Sequence, residues 1–393
     1  MQLSQLAQRV AAVCATSSIL ACVALPAAAQ VEVTATPPEA RGWRAETVTS
    51  ALPQAWGMAW LSDGRMLVTG KEGTLHLVAG GKVQAVPMEG LPTLMSSGQG
   101  GLLDIAVHPA DKGPNVRVYM TMANGTTDDN RTALVQGVFD GKRVHGIKTL
   151  FRASPSKTGG QHFGSRIAFM ADGTLLMSIG DGGNPPQRIG NMLARDQAQN
   201  LGSHNGSILR LTAEGKPAPG NPLATRQGAL PEIWSYGHRN IQGLAIGAAG
   251  RVFASEHGPR GGDEINRIEG GRNYGWPIQT HGLDYTTRVP VGKPSVPGMV
   301  DPLVAWSPSP APSGLVVYSG NAFPQWRGSL FAGNLAGMDL RRIEFDASGK
   351  VVKQEKLDIG KRVRDVRQGP DGHLYVLTDE SNSRILRIVP DKS

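Results

Sequence analysis

The sequence predicts an all-β chain, folded as a single six-bladed β-propeller. Three observations carry this. One phrase recurs along the chain: an apolar alternating run, a turn, then a second apolar alternating run. Helical periodicity is nearly absent. The 51 Gly and 27 Pro suit many tight turns between short strands.

The clearest copies of the phrase begin at Gly57 ("GMAWLSDGRMLVTGKEGTLHLV"), Arg166 ("RIAFMADGTLLMSIGDGG") and Asp365 ("DVRQGPDGHLYVLTDESNSRILRIV"), each turning at Asp-Gly. Weaker copies begin at Gly101, Gly243 and Gly314. Each reads as a hairpin, and six are found. Six four-stranded units in residues 30–393 leave about 60 residues each, more than a minimal blade needs, so the excess belongs in long loops. A stacked solenoid would repeat more evenly, and a sandwich of this length would be unusual. Nothing in composition marks a second domain.

Before the first copy, residues 1–29 read as a secretory signal: Arg9 is the only charge, an apolar run follows from Val10 to Leu25, and "PAAA" offers a small-residue cleavage site. The chain is therefore expected to be exported, to the periplasm, with lipoprotein processing at "ILAC" the minor alternative. No later segment approaches the roughly 20 apolar residues that a membrane span requires. Both cysteines, Cys14 and Cys22, fall within the signal, so the mature chain has no disulfide, thiolate metal site or cysteine nucleophile. Loss of Arg9 takes the formal net charge from +8 to +7, with Lys and Arg scattered rather than run together. A nucleic-acid partner is not expected; an acidic ligand would need converging arginines rather than a total.

The polar constellations fall at the hairpin ends, where propeller loops gather over one face. They include Gln99, His162, Arg239 with Asn240, and the stretch "SEHGPRGGDEINRIEGGRNYGWP" from Ser255. Arg362 and Arg364, two apart, share one face of a strand. Their guanidinium forks match carboxylates, although surface charge is the plainer account of the pair. In the Ser255 stretch, glycines let carbonyls turn toward one point while Asp263 and Glu264 offer hard oxygen ligands, a combination suited to calcium. The same "DEIN" equally reads as the solvated start of a blade strand. His162 alone is a satisfied loop residue. Asp181, one hairpin later, is placed to reach its imidazole and raise its basicity, which suggests proton abstraction. Ser165 sits outside any nucleophile elbow, so a hydrolase triad is weak.

The ordered set "GQGGLLDIAVHP", "HFGSRIAF", "SYGHRNIQGLA", "EHGPRGGDEIN" and "NYGWP" resembles the soluble aldose dehydrogenases of the glucose/sorbosone dehydrogenase family, which use pyrroloquinoline quinone (PQQ). The resemblance runs from about Trp56 to Pro390 and implies a six-bladed propeller. It further implies that Gln99, Arg239, Asn240, Tyr285, the backbone of Asn334, Leu335 and Ala336, and Arg362, Val363 and Arg364 contact the cofactor. His162 falls on the general base and Asp181 on the acid that orients it. Calcium is implied at the carbonyls of Gly258 and Pro259, at Glu264 and at Tyr274 through its carbonyl, in one site or two. Ala336 replaces a Lys that members often hold over the quinone, and Gln161 replaces an acid that helps hold sugar in the glucose enzymes.

The chemistry so implied is oxidation of an aldose at its anomeric carbon to a lactone, with His162 taking the hydroxyl proton as hydride passes to the quinone. Calcium polarises the quinone and Arg239 stabilises the charge that grows on it. The partners implied are an aldose sugar and an electron acceptor of unspecified kind, for a monomer or homodimer. Two other classes compete: a calcium-dependent propeller lactonase, which needs a carboxylate-rich centre in the channel, and a noncatalytic binding propeller, which leaves His162 and the arginines as coincidence.

Overall fold

Each of the six repeated phrases supplies the first two strands of one blade, and the copies at Gly57 and Asp365 run on into the third. The computed structural model describes residues 31 and 33–391; the expected signal at residues 1–29 and both cysteines lie outside them. The first blade is Ala55–Trp60, Met66–Gly70, Thr74–Ala79 and Lys82–Ala85, and the second Leu102–Val107, Val116–Gly125, Asn130–Phe139 and Val144–Arg152. The third is Ile167–Phe169, Leu175–Ile179, Ser207–Leu211 and Ile233–Tyr236, and the fourth Ile241–Ile246, Val252–Glu256, Asp263–Ile268 and Val304–Trp306. Pro312–Val317, Leu330–Asn334, Asp339–Phe345 and Val351–Asp358 make the fifth. The sixth takes Val363–Gln368, Leu374–Thr378 and Asn382–Pro390, and borrows its outer strand, Trp43–Pro53, from before the first blade. That borrowed strand closes the ring.

The Asp-Gly turns explain why the phrase folds as it does. Gly64, Gly173 and Gly372 take φ of 87°, 82° and 78°, the left-handed region that glycine enters without strain. The preceding Asp63, Asp172 and Asp371 each accept the N–H two residues on, at 3.1, 3.0 and 3.2 Å, which locks the turn.

Apolar alternation then places the core between blades. Leu67 and Leu77 of the first blade pack with Met120 and Val135 of the second, and Phe331 and Leu340 of the fifth pack with Val366 and Val376 of the sixth. Equivalent clusters fill the other four junctions. Each side chain so buried contributes about 1.5–3 kcal/mol.

The first strand of each blade lines the central channel, and there the backbones crowd. A Cβ on Gly314 would come 2.3 Å from the Asp365 carboxylate, so only glycine fits. Within the channel Arg166 reaches Asp104 at 3.2 Å and Asp365 at 3.0 Å, and Arg367 bonds the same two acids at 2.8 and 3.0 Å. Two cations and two anions balance, so none of the buried charges is left unpaired. The excess length lies in loops, chiefly residues 180–206 and 269–303, and these carry much of the site. Among the described residues no helix is long and apolar enough to cross a membrane.

Candidate active site

His162 and Asp181 approach each other because the segments that carry them do. A Cβ on Gly180 would meet the His162 carbonyl at 2.2 Å, so glycine is required for the two to touch. His162 itself sits at φ 47°. Its backbone N–H donates to Gln99 Oε1 at 2.8 Å, and the Gln99 N–H donates to Gly160 O at 2.7 Å, a reciprocal clamp that holds this strained turn.

The imidazole Nδ1 lies 2.6 Å from Asp181 Oδ1. That oxygen also accepts the Gly183 N–H at 3.0 Å, while Oδ2 accepts the Trp276 indole N–H at 2.8 Å. Three donors on a fully buried carboxylate fix Nδ1 as the protonated nitrogen and leave the Nε2 lone pair as the acceptor. Burial and the Arg239 charge hold the His162 pKa below its ordinary value, against the opposing pull of Asp181. The ring is a neutral base at neutral pH.

Beside this pair lies a cavity of about 340 Å³, lined by Trp56, Lys71, Gln99, Asn240, Arg364 and Asp379 among others. Arg362 and Arg364 both turn onto Asp379 Oδ2, at 3.3 and 3.1 Å, although Arg362 lies just before the strand Val363–Gln368 rather than within it. Burial opposes ionisation of Asp379, yet those two guanidiniums keep its pKa below the usual carboxylate value. Lys71 adds a third cation, its Nζ 2.6 Å from Gly98 O. His257 adds none: burial and Arg239 push its pKa down to about 3, and its Nε2 donates to Pro312 O at 2.7 Å. Arg239 is buried, with Nη1 on His257 O at 3.1 Å and Nη2 on Asn184 Oδ1 at 2.8 Å. The Nε atoms of Arg239 and Arg364 are buried and have no partner.

The remaining expected residues are placed unevenly. Asn240 Oδ1 accepts the Gly164 N–H at 3.1 Å, and Leu335 lines the cavity. Asn334 turns its amide away, onto Asp339 at 2.6 Å, and Ala336 spends its N–H on Pro310 O at 2.9 Å. Val363 is fully buried, with its carbonyl accepting from Ser313 Oγ at 2.7 Å. Half-exposed Tyr285 donates to Pro259 O at 3.1 Å.

A second, much smaller cavity is lined by Arg239, Glu256, Gly258, Gly262, Glu264, Tyr274 and neighbouring residues. Asp263 is a structural brace there, accepting from the Gly258 N–H at 2.8 Å and the Ala311 N–H at 2.8 Å. Glu264 stands directly across the strand ladder from Glu256. Burial, then the charge of Glu256, pushes the Glu264 pKa well above the ordinary carboxylate value. Glu256 is held by His238 Nδ1 at 3.0 Å and by the Arg239 N–H. The Tyr274 hydroxyl is spent on Arg267 O at 2.8 Å and the Glu269 N–H at 2.7 Å, so a metal contact from this residue falls to its carbonyl. Among the described residues no three His, Cys, Asp or Glu side chains converge on one point, so a cation here would rest largely on main-chain oxygens.

Sequence reasoning did not assign Lys71, Trp56, Asn184 or Trp276. Only Trp276 left a signal, because a buried indole N–H needs an acceptor.

The family profile for glucose/sorbosone dehydrogenase matches residues 52–387. A relative from Synechocystis sp., itself uncharacterised, is 46% identical over 355 residues, covering 88% of this chain and 86% of its own. The aldose sugar dehydrogenase YliI of Escherichia coli is 38% identical over 356 residues, covering 88% of this chain and 92% of its own. The crystal structure of the soluble E. coli aldose sugar dehydrogenase in its apo form superposes with a TM-score of 0.80 at 36% identity, covering 89% of this chain and 100% of that one. The PQQ-bound aldose sugar dehydrogenase of Streptomyces coelicolor gives 0.72 at 30% identity, covering 91% and 100%. The matched residues run through all six blades and through the loops that join His162 to Asp181, and the chain belongs to the glucose/sorbosone dehydrogenase family of oxidoreductases.

Proposed function

We propose that this oxidoreductase uses PQQ to oxidise aldose sugars at the anomeric carbon to lactones, with His162 as the base and a calcium ion near Glu264. The observation that carries the reading is the cavity wall, where Lys71, Arg362 and Arg364 face one carboxylate, Asp379. A surplus of cations around the cavity, with the buried Nε atoms of Arg364 and Arg239 left unbonded, calls for an anionic ligand. PQQ, a planar ortho-quinone with three carboxylates, fits that demand. When bound it supplies a two-electron acceptor.

The chain's own residues do the rest. Arg362, Arg364 and Lys71 neutralise carboxylates, Arg239 presents positive charge, and Trp56 and Leu335 exclude water from the cavity. His162 takes the proton of the sugar's anomeric hydroxyl at Nε2, while Asp181 holds the resulting imidazolium through Nδ1. For calcium, the support is two opposed glutamates beside a small buried cavity, since like charges across a ladder are unfavourable without a cation. A lactonase centre would need converging carboxylates in the channel, where Asp104 and Asp365 are already paired with Arg166 and Arg367.

The test is reconstitution. Purified apoprotein is given PQQ with and without calcium, and quinone absorbance and dye reduction are followed with a panel of aldoses. Saturable PQQ binding and sugar-dependent dye reduction are expected. Absence of both in folded, calcium-loaded protein refutes the reading.

A further inference from the structure

One buried charge beside the catalytic pair has no part in this mechanism. Lys157 is 5% exposed, although lysine normally extends its ammonium to water. Its backbone is tied both ways to Asn130, N–H to O at 2.8 and 2.9 Å. Nζ donates to Gly159 O at 3.0 Å, a carbonyl that Asn130 Nδ2 also bonds at 3.1 Å, and lies 3.8 Å from the Phe163 ring centroid. The side chain crosses Gly182, where an added Cβ would meet Lys157 Cδ at 3.2 Å. Phe163 follows His162 and Gly182 follows Asp181, so the ammonium is fixed behind both members of the pair.

We propose that Lys157 is a positioning residue for His162 and Asp181, a buried cation fixed behind the pair that favours the arrangement in which Asp181 accepts the Nδ1 proton and Nε2 stays free until the substrate hydroxyl arrives. The proposal rests on the reading of His162 as the base. A nearby positive charge favours carboxylate over carboxylic acid and neutral imidazole over imidazolium, so both effects select the same state. The charged groups acting on His162 are Arg239, Asp181 and Lys157, with the His257 ring neutral. Asp181 is the charge that acts on Lys157, and against it burial pushes the Lys157 pKa down to about 7. The cation therefore acts on the acid side of neutrality and fades as pH rises.

The experiment compares PQQ-reconstituted wild type with Lys157→Met and Lys157→Gln, which remove the charge; the Gln variant retains a donor. The His162 titration is followed by imidazole NMR in the apoprotein, and the reduction of bound PQQ by sugar is followed in single turnovers across pH. In both variants the His162 midpoint should rise by about half a unit to one unit. The acid limb of the rate profile should rise with it, giving about three- to tenfold slower reduction at pH below the His162 midpoint and little change near pH 9. An unmoved midpoint, or a loss equal at all pH, overturns the proposal and leaves Lys157 a packing residue. If neither neutral variant folds, Lys157→Arg decides. Its cation does not fade, so it should match wild type near pH 6 and fall about threefold below it near pH 9; equal rates at both overturn the proposal. His162→Gln, run alongside, separates the two readings. If that variant reduces PQQ at the wild-type rate, the base assignment itself fails.

Discussion

Replacing Asp181 by Asn removes one charge and one pair of acceptor sites, and the surrounding donors set the consequence. Asp181 accepts from His162 Nδ1, the Gly183 N–H and Trp276 Nε1. An amide has one oxygen to offer them. If it faces His162 and Gly183, the NH2 confronts the Trp276 N–H. If it faces Trp276, the NH2 confronts Gly183 and forces the imidazole proton onto Nε2, where no lone pair then remains for substrate. Each arrangement leaves a buried donor unpaired, at about 1–3 kcal/mol. Asp181→Asn should thus populate the wrong tautomer and also lose the charge that steadies imidazolium, slowing reduction of bound PQQ by sugar about 100- to 10,000-fold.

Trp276→Phe in the same chain turns this into a sharper test. An aromatic ring is kept beside the Arg239 guanidinium, which lies 5.4 Å from the Trp276 ring, while the indole N–H is lost. In the double variant the amide oxygen can face His162 and Gly183 without conflict. It should therefore recover about tenfold over Asp181→Asn alone, the worth of about 1.4 kcal/mol. Stopped-flow mixing of reconstituted enzyme with sugar, without external acceptor, reads the step directly. Wild-type rates in Asp181→Asn would refute the pairing, and a double variant no faster than the single would refute the tautomer argument.

The same geometry sets the outcome of other substitutions. His162→Gln should slow the single turnover about 100- to 10,000-fold with PQQ affinity unchanged by fluorescence titration, since the base is lost and the cationic wall is not. Arg364→Ala should weaken PQQ binding by about 2–5 kcal/mol, and unaltered affinity would move the cofactor elsewhere. Lys71→Met should weaken it less and in a salt-sensitive way, because this cation is only part-buried. Chelation should abolish dye reduction and lower Tm, with calcium restoring both; full activity after prolonged chelation would refute the metal assignment. Arg166→Met should cost about 3–5 kcal/mol in denaturant unfolding, because it strips Asp104 and Asp365 of a buried partner.

How much of the molecule could be read from its sequence depends on the range over which each interaction acts. Asp-Gly turns and apolar alternation are local, so all six inner hairpins were visible. The strand that closes the ring was not, because Trp43–Pro53 meets Asn382–Pro390 across nearly the whole chain and nothing near either announces the other. His162 and Asp181 are one hairpin apart, which made their pairing a local inference. Trp276, 95 residues beyond Asp181, completes the same carboxylate from a loop that sequence spacing does not place. The acids of "EHGPRGGDE" lie between these cases. Glu256 and Glu264 look like two members of a polar loop until the ladder sets them opposite each other, and only then does their juxtaposition become a cost to be met. One glutamate is held by His238 and the Arg239 N–H, while the other, half-buried, has Asn266 as its hydrogen-bond partner. It is this asymmetry, set by register rather than composition, that singles out Glu264 as the carboxylate with most to gain from a cation.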